Sequence, residues 1–308
     1  MRVAIVTGTE AHHKSLCGVI AKSFDVVGII HPATVPNGFV RGTRFIRAAR
    51  RYGWSLGLLH LIGMALPANV RGGDGGASSC AESFSNGMAD YDRIPRSLIH
   101  HACDMRHPHS AALLRSLSAD VVVCLGGPIY PTAFIEAAPL VLNYHSGISP
   151  LYNGTGSIAF AFANGHPHLC GGTLMRMSTA VDGGEVLAHY LPAIEAGDTP
   201  TSLFQKTVAG ATLVYNRILN AAASKRVELR CVPQPPALFS TRAIQFGWYQ
   251  TATIAQNLRN DIAARFQRNE SLLEYWSQPD EESANAAFQS ALNGLLWQVQ
   301  PEGSAPWR

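Results

Sequence analysis

Three residues in this sequence could together carry out chemistry at a carbonyl group. Asn143 and His145 alternate at the end of a predicted strand, so their side chains project to the same face. An asparagine amide there can donate a hydrogen bond to a developing oxyanion, and an imidazole can move protons near neutral pH. Further along the chain, Asp182 opens an Asp-Gly-Gly turn between two more predicted strands. Each feature alone is common for structural reasons, so only the combination indicates a site.

The elements that must position these residues follow an α/β pattern. Apolar, largely β-branched runs at residues 3–7, 26–30 and 121–125 predict strands buried on both faces of a parallel sheet. Residues 10–24 predict the helix that connects the first two strands. At the carboxyl ends of such strands, doubly wound proteins open a crevice that binds ligands. We therefore predict an α/β fold with a Rossmann-like, mostly parallel sheet, and a site at its carboxyl edge.

Other segments extend this pattern less regularly. Further strands are predicted at 141–143, 173–177 and 185–190, and helices at 158–164, at 201–223 and from an N-cap at Ser110 to Leu117. The middle of the chain has a basic run at 41–51, an apolar stretch at 54–66 and a loop rich in Gly and Ser at 71–86. We expect the basic run to be a solvated helix face rather than a binding surface.

The pattern changes after Lys225, where VPQPP interrupts the chain and a polar, helix-prone tail follows. We expect residues 1–225 to form the catalytic domain. Residues 226–308 are then a smaller, mostly helical C-terminal extension that forms a homodimer or caps the acceptor pocket. The alternative is that its aromatic residues pack back onto the core of a monomer; these are Trp248, Tyr249, Trp276 and Trp297.

Composition excludes several classes of protein. Charged residues make up only 15% of the 308 residues and hydrophobic residues 47%, which excludes disorder and a coiled coil. A net charge of +3 is too small to indicate general nucleic-acid binding. The six cysteines form no CxxC pair and are expected to be mostly buried, reduced thiols. With a strand rather than a signal peptide at the start, and no apolar stretch long enough to span a bilayer, we expect a cytoplasmic protein without a membrane partner.

The combined motifs resemble the folate-dependent formyltransferase family, whose members act on methionyl-tRNA, glycinamide ribonucleotide and amino sugars. The similarity runs from about residue 120 to residue 215. VVVCLGGPIYP at 121–131 resembles the strand and turn before that family's active site. Asn143 and His145, followed by Pro150, Tyr152 and Gly154, match its N-x-H…P-x-Y-x-G segment, and DGGEVL at 182–187 matches its D-x-G-x-[VI]-[IL] segment. Ser146 and Gly147 depart from the family's usual Pro-Ser.

The resemblance implies formyl transfer from 10-formyltetrahydrofolate to a primary amine. Asn143 would hold the carbonyl oxygen, His145 would share a proton with the addition intermediate, and Asp182 would pair with His145 and help take the amine proton through water. The implied folate-binding residues are Gly126, Ile129, Met177, Val181, Gly183 and Gly184. The implied acceptor-binding residues are Gly8, Glu10, His13, Tyr152 and Thr173. No metal is required, because the formyl donor is already activated.

Two other functions remain open at this stage. The same three residues could deformylate formyltetrahydrofolate with water, although such hydrolases usually resemble a formyltransferase preceded by a regulatory domain, for which a strand at Val3 leaves no room. The chain could also be a non-catalytic binding subunit with the same fold. Because acidic residues are frequent after Lys225, we expect a small amine acceptor, such as an amino sugar or a modified amino acid, rather than tRNA.

Overall fold

A computed structural model describes residues 1–32, 84–102, 105–127, 129–224, 229–242 and 246–298. The basic run at 41–51, the apolar stretch at 54–66 and the Gly- and Ser-rich loop up to residue 83 lie outside the described residues. In the described part of the chain, one predicted helix begins earlier than expected, and one predicted strand extends further than expected. The helix expected from Ser110 begins at Pro108, because the His107 ring, rather than Ser110, caps it by accepting a hydrogen bond from the backbone N–H of His109 at 3.2 Å.

The centre of the structure is an eight-stranded sheet. The strands of the described residues are β1 (Arg2–Thr7), β2 (Asp25–Pro32), β3 (Ile99–Ala102), β4 (Val121–Leu125), β5 (Val141–His145), β6 (Tyr152–Gly154), β7 (Gly172–Arg176), β8 (Val186–Leu191), β9 (Phe239–Thr241) and β10 (Ser271–Glu274). Strands β6 and β9 form a separate parallel pair, and the other eight form the sheet. The order in the sheet is β10-β8-β7-β5-β4-β1-β2-β3. The five strands from β5 to β3 are parallel, and β7, β8 and β10 add antiparallel pairs. The predicted α/β class with a mostly parallel sheet is confirmed.

Helices cover both faces of this sheet. They are α1 (Ala11–Ser23), α2 (Ser85–Tyr91), α3 (Pro108–Ser116), α4 (Thr132–Ile135), α5 (Ser157–Ala163), α6 (Pro200–Ala223), α7 (Trp248–Arg259) and α8 (Glu281–Trp297). The long helix α6 starts where the sequence predicts: Thr199 caps it by accepting from the backbone N–H of Ser202 at 3.1 Å, and Pro200 occupies its first turn. Strand β2 continues through His31 and Pro32, which pair with β3, instead of ending before them.

Alternation along the buried strands produces two apolar layers. On one face, Val3 and Ile5 pack with α1 and α6. On the other, Ala4, Val6 and Cys124 pack with α3 and α4. Consecutive residues of a strand therefore point into different layers, as expected for strands buried on both sides. Among the described cysteines, Cys17, Cys124 and Cys170 are buried free thiols, and Cys231 is half-buried.

The tail shares its core with the rest of the chain. A third apolar cluster joins α5 and β8 to α7 and α8, with Phe288 at its centre. Strand β10 extends the main sheet beside β8, and its neighbours Tyr275 and Trp276 are only 1% and 3% exposed. The tail is mostly helical, as predicted, and part of its apolar surface packs in this shared cluster. At these two aromatic residues the chain packs back onto the core, whereas Trp297 is exposed.

Within the residues that the structure describes, no helix is both long enough and apolar enough to cross a membrane.

Three buried histidines make the fold sensitive to acid. Desolvation lowers the pKa of His12 and His168 to about 3 and that of His189 to about 4. In the unfolded chain their pKa is near 6.5, so below that pH only the unfolded state takes up protons and stability falls as the pH falls. Chemical denaturation should show a loss of about 1 kcal/mol per histidine, or about 3 kcal/mol in all, between pH ~6.5 and ~5.5.

The interval between pH ~8 and ~7 is the internal control, because these histidines there change the unfolding free energy by less than about 0.5 kcal/mol. A loss below about 1 kcal/mol in the acidic interval would mean that the three rings are not held neutral by burial.

Candidate active site

The predicted site residues meet where three parallel strands end. Thr7, Leu125 and Tyr144 stand in register across β1, β4 and β5. The next residues along the chain are Gly8, Gly126 and His145. Because neighbouring strands are about 4.8 Å apart, the ends of β1 and β5 lie about 10 Å from each other. This is the carboxyl edge at which α/β proteins bind ligands.

Asn143 and His145 occupy the same face of β5. Asn143 pairs with Cys124 of β4, and both Cys124 and Val141 belong to the layer that faces α3 and α4. His145, two residues after Asn143, points to the same side. Asn143 is half-buried and His145 is 8% exposed. Strand β5 therefore places the two side chains on one face, as predicted.

Both ring nitrogens of His145 have protein partners. Nε2 lies 3.0 Å from the carbonyl oxygen of Tyr152, which can only accept, so Nε2 carries a proton and donates it. Ser157 Oγ lies 3.3 Å from the same nitrogen and donates to the carbonyl of Gly154 at 3.1 Å. Nδ1 faces Asp182 Oδ2 at 3.4 Å. A proton added at Nδ1 would make this contact a charge-assisted hydrogen bond, so the geometry allows the two side chains to share a proton.

Asp182 is held by the loop between β7 and β8 in a backbone conformation with φ of +48°, which is uncommon for a residue with a side chain. Its Oδ2 atom accepts from the backbone N–H of Gly154 at 2.7 Å. Its carbonyl oxygen accepts from two side-chain amides, Asn153 Nδ2 and Gln234 Nε2, each at 2.9 Å. These bonds fix the carboxylate next to His145.

The two segments predicted to bind folate come together around Met177. This residue is half-buried against the apolar layer that contains Tyr130 and Val141, and its backbone N–H donates to the carbonyl of Val141 at 2.8 Å. Ile129 is 63% exposed and Val181 is 55% exposed, so each segment presents an apolar side chain to solvent. Gly126 and Gly183 are also exposed. Gly184 differs from the prediction, because it is buried against the backbone of Arg176 and offers no free surface.

Three of the predicted acceptor-binding residues form one cluster at the end of β1. His13 Nδ1 and the Glu10 carboxylate form a short hydrogen bond, which lowers the pKa of Glu10 to about 2. A side chain at Gly8 would collide with both residues. A side chain at Gly126 would lie 3.3 Å from His13 Nε2, so the same ring reaches the loop after β4. This cluster carries an ionised carboxylate at the edge of the site.

The other two predicted acceptor-binding residues point inward. Tyr152 is fully buried: its hydroxyl contacts His166 Nδ1 and Asn164 Nδ2 at 2.9 Å each, and its ring stacks on Phe239. Thr173 is also fully buried and donates to the carbonyl of Gly147 at 2.6 Å. Their side chains face the core because the strands on which they lie are covered on that side. We therefore assign both side chains a structural role instead of acceptor binding, although the carbonyl oxygen of Tyr152 contacts His145.

Sequence reasoning missed the residues that support the pair. Asn153 stands between Tyr152 and Gly154 of the predicted motif, and this position was the only feature of the sequence that could have indicated its role. Ser157 begins a helix, and Gln234 lies in the proline-rich break, where a lone amide has no recognisable pattern. Within the residues that the structure describes, no group of three or more His, Cys, Asp or Glu side chains could hold a metal ion.

The Asn143, His145 and Asp182 side chains lie in a segment that is similar to a known protein family. Residues 87–219 match the family model described as formyl transferase. All three predicted catalytic residues lie within that match, and the resemblance to the folate-dependent formyltransferase family is confirmed over this segment.

Several relatives of this chain share the name methionyl-tRNA formyltransferase. Methionyl-tRNA formyltransferase from Synechococcus sp. (strain JA-3-3Ab) is 31% identical over 168 residues, which cover 52% of this chain and 50% of the relative. The enzyme of the same name from Myxococcus xanthus (strain DK1622) is 35% identical over 133 residues, covering 42% of each chain. The chain thus spans half or less of the length of these relatives. A solved glycinamide ribonucleotide transformylase 1 from Symbiobacterium toebii is similar with a TM-score of 0.48 and 16% identity, over 76% of this chain and 94% of that chain.

Proposed function

We propose that this protein is a folate-dependent N-formyltransferase that moves a formyl group from 10-formyltetrahydrofolate to the primary amine of a small biosynthetic substrate. The observation that carries the proposal is the 3.4 Å contact between Asp182 and His145, next to Asn143 on the same strand face. Amide-bond formation from a primary amine needs a donor to the developing oxyanion and a group that takes up the amine proton. Asn143 can serve as the donor, and Asp182 with His145 can take up the proton.

When bound, the folate co-substrate would supply an electrophilic formyl carbon and the nitrogen from which the formyl group leaves. Asn143 donates to the formyl oxygen as negative charge develops there. The Asp182–His145 pair receives the proton that the attacking amine loses and returns it to the leaving nitrogen. One carbon–nitrogen bond forms, one breaks, and the proton balance is zero.

The residues at this edge fit a folate. A pterin ring is flat, with apolar faces and polar edges, and Ile129 and Val181 are exposed apolar side chains on the two segments that meet at Met177. The loop that carries Val181 is mostly exposed, so its backbone groups are within reach of a ligand. These residues would hold the ring without a charged side chain.

The acceptor end favours an amine without strong negative charge. The ionised Glu10 carboxylate stands at the end of β1, about two strand spacings from His145. It repels phosphates and attracts amines or hydroxyl groups. Amino sugars and modified amino acids fit this environment better than a polyanion such as tRNA. We accordingly propose a cytoplasmic enzyme that binds no nucleic acid.

A labelled formyl group distinguishes the competing functions in one experiment. The protein is incubated with formyl-labelled 10-formyltetrahydrofolate and a panel of amino sugars, amino acids and charged methionyl-tRNA, and the products are identified by mass spectrometry. Label in a small amine supports the proposal. Label in methionyl-tRNA alone overturns the small-substrate part of it. Free formate at the same rate with and without amines identifies a hydrolase, and binding of the folate without turnover identifies a binding subunit.

Asp182→Asn tests the role of the carboxylate. The substitution is nearly isosteric, so stability should change little, but a neutral amide cannot hold the transferred proton. We expect turnover to fall by roughly a hundredfold, the low end of acid–base effects, with folate affinity retained. Calorimetry measures the affinity. If affinity falls together with the rate, Asp182 shapes the folate pocket instead of moving a proton.

A further inference from the structure

The polypeptide between Cys231 and Arg242 crosses directly behind the candidate catalytic residues. Val232 exchanges two backbone hydrogen bonds with Val186, at 2.7 and 2.8 Å, just after the Asp182 loop. Further along, Phe239 donates its N–H to the carbonyl of Leu151 at 3.0 Å, and β9 pairs in parallel with β6. We call this stretch, residues 231–242, the tail strap.

The tail strap forms hydrogen bonds with the segments that position both Asp182 and His145. Gln234 donates from Nε2 to the carbonyl oxygens of Asp182 at 2.9 Å and of Gly184 at 2.6 Å. Thr241 donates from Oγ1 to the carbonyl of Asn153 at 3.0 Å. One contact lies in the loop that carries Asp182, and the other lies in the strand that contacts His145.

The chemistry of these contacts fixes the Gln234 amide in one orientation. Both partners of Nε2 are carbonyl oxygens, which only accept, so the amide nitrogen rather than the oxygen must face them. A carboxylate in the same place would set negative charge against two carbonyl dipoles. Gln234 is only partly exposed, and its bonds are therefore protected from competition by water.

Asp182 needs this support because of its backbone conformation. Its positive φ is less favourable than an ordinary backbone conformation, although Asp adopts it more readily than most residues with a Cβ, and surrounding contacts help to hold it. Gln234 and Asn153 provide two of these contacts at a single carbonyl. The Asp182 Oδ2 to His145 Nδ1 distance of 3.4 Å is already at the outer limit of a hydrogen bond, so a small shift of the loop would break the pair.

We propose that Gln234 is a positioning residue, which fixes the Asp182 carboxylate against His145 from outside the segment that matches the formyl transferase family. The inference rests on the proposed function for its catalytic consequence, but the pairing itself is a property of the ligand-free protein. The tail strap is then part of the catalytic unit.

Two variants of the full-length protein test this. Gln234→Met keeps the length of the side chain and removes both hydrogen bonds, and Gln234→Glu keeps its shape and reverses the polarity at the two carbonyls. Gln267→Met and Gln267→Glu are matched controls, since Gln267 is an exposed tail residue whose amide bonds only within its own turn, to the Ala264 carbonyl. Thermal unfolding establishes that each variant is folded.

The first readout is the ¹⁵N chemical shift of His145 Nδ1 in the ligand-free protein, which reports its contact with Asp182. In the Gln234 variants we expect it to move in the direction seen for Asp182→Asn, by at least half as much, and to stay in place in the Gln267 controls. An Nδ1 resonance at the wild-type position in folded Gln234→Met overturns the proposal, whether or not any amine is formylated.

The second readout is steady-state kinetics with the amine identified by the product assay. Turnover is expected to fall about tenfold or more in the Gln234 variants, as misplacement of a catalytic group does, while KM for the formyl donor changes much less. Unchanged turnover in folded Gln234→Met also overturns the proposal. If the wild-type protein formylates no amine, the proposed function fails, and the resonance alone decides the role of Gln234.

Discussion

Asn143→Ala and His145→Ala are each expected to lower turnover at least about a hundredfold and to leave the fold intact. In the proposed function Asn143 is the amide donor at the strand end, and loss of one such donor removes stabilisation that exists only as charge develops on the formyl oxygen. In the same proposal His145 and Asp182 together take up the amine proton across their 3.4 Å contact, and an alanine methyl group cannot replace the imidazole. Turnover with an accepted amine, at saturating folate, is the measurement.

Matched changes on the surface control for nonspecific effects. Asn285→Ala and His109→Ala remove the same side-chain types from exposed positions and should leave turnover unchanged. Circular dichroism and thermal unfolding should show that the site variants are folded. Near-normal turnover in either site variant, with an acceptor that the wild-type protein demonstrably formylates, would refute the roles assigned to these side chains.

A chain that ends at Ala223 is expected not to fold. It would lose β10 from the main sheet and, among the described residues, eight of the 22 buried members of the cluster that α5 and β8 share with the tail. The lost side chains that are fully or almost fully buried are Val232, Ile254, Tyr275, Trp276, Phe288, Leu292 and Leu295. At about 1.5–3 kcal/mol for each large apolar side chain, this burial is on the order of 10 kcal/mol, as large as the stability of an ordinary domain. The measurement is cooperative unfolding, by calorimetry, of any soluble product.

Two single substitutions in α8 separate the effect of the core from that of a shortened chain. Phe288 is fully buried against His189 and Tyr275, so Phe288→Ala should cost about 3–5 kcal/mol. Trp297 is 76% exposed in the same helix, and Trp297→Ala should change stability by less than about 0.5 kcal/mol. A truncated chain that unfolds cooperatively and binds a folate would restore the division of labour expected from the sequence, in which residues 1–225 act alone.

Much of the sheet could be predicted because its strands are buried on both faces. Continuous apolar runs such as Val121 to Leu125 have few alternative structures, and the paired Asn143 and His145 followed from simple alternation on the next strand. The family motif then supplied Asp182, whose approach to His145 depends on a loop that no local pattern defines.

Contacts between distant segments could not be predicted in the same way. Tyr152 and Thr173 stand in the motif, but which side of a short strand is covered depends on elements elsewhere in the chain, such as Phe239 of the tail. Strand β10 is a run of four residues, SLLE, within a polar region, too short to show a period. Gln234 forms its bonds only with main-chain atoms about fifty positions earlier, so its role is invisible until the fold is known.

The position of β10 at the end of the main sheet also sets the order of events during synthesis. Its partner β8 leaves the ribosome well before it, and at about 5–20 residues per second the intervening chain takes several seconds to appear. During that interval β8 is an open edge that can pair with other chains, and until Gln234 has emerged Asp182 has no amide from the tail to hold it. The unpaired edge of β8 therefore exposes the nascent polypeptide to aggregation until β10 arrives.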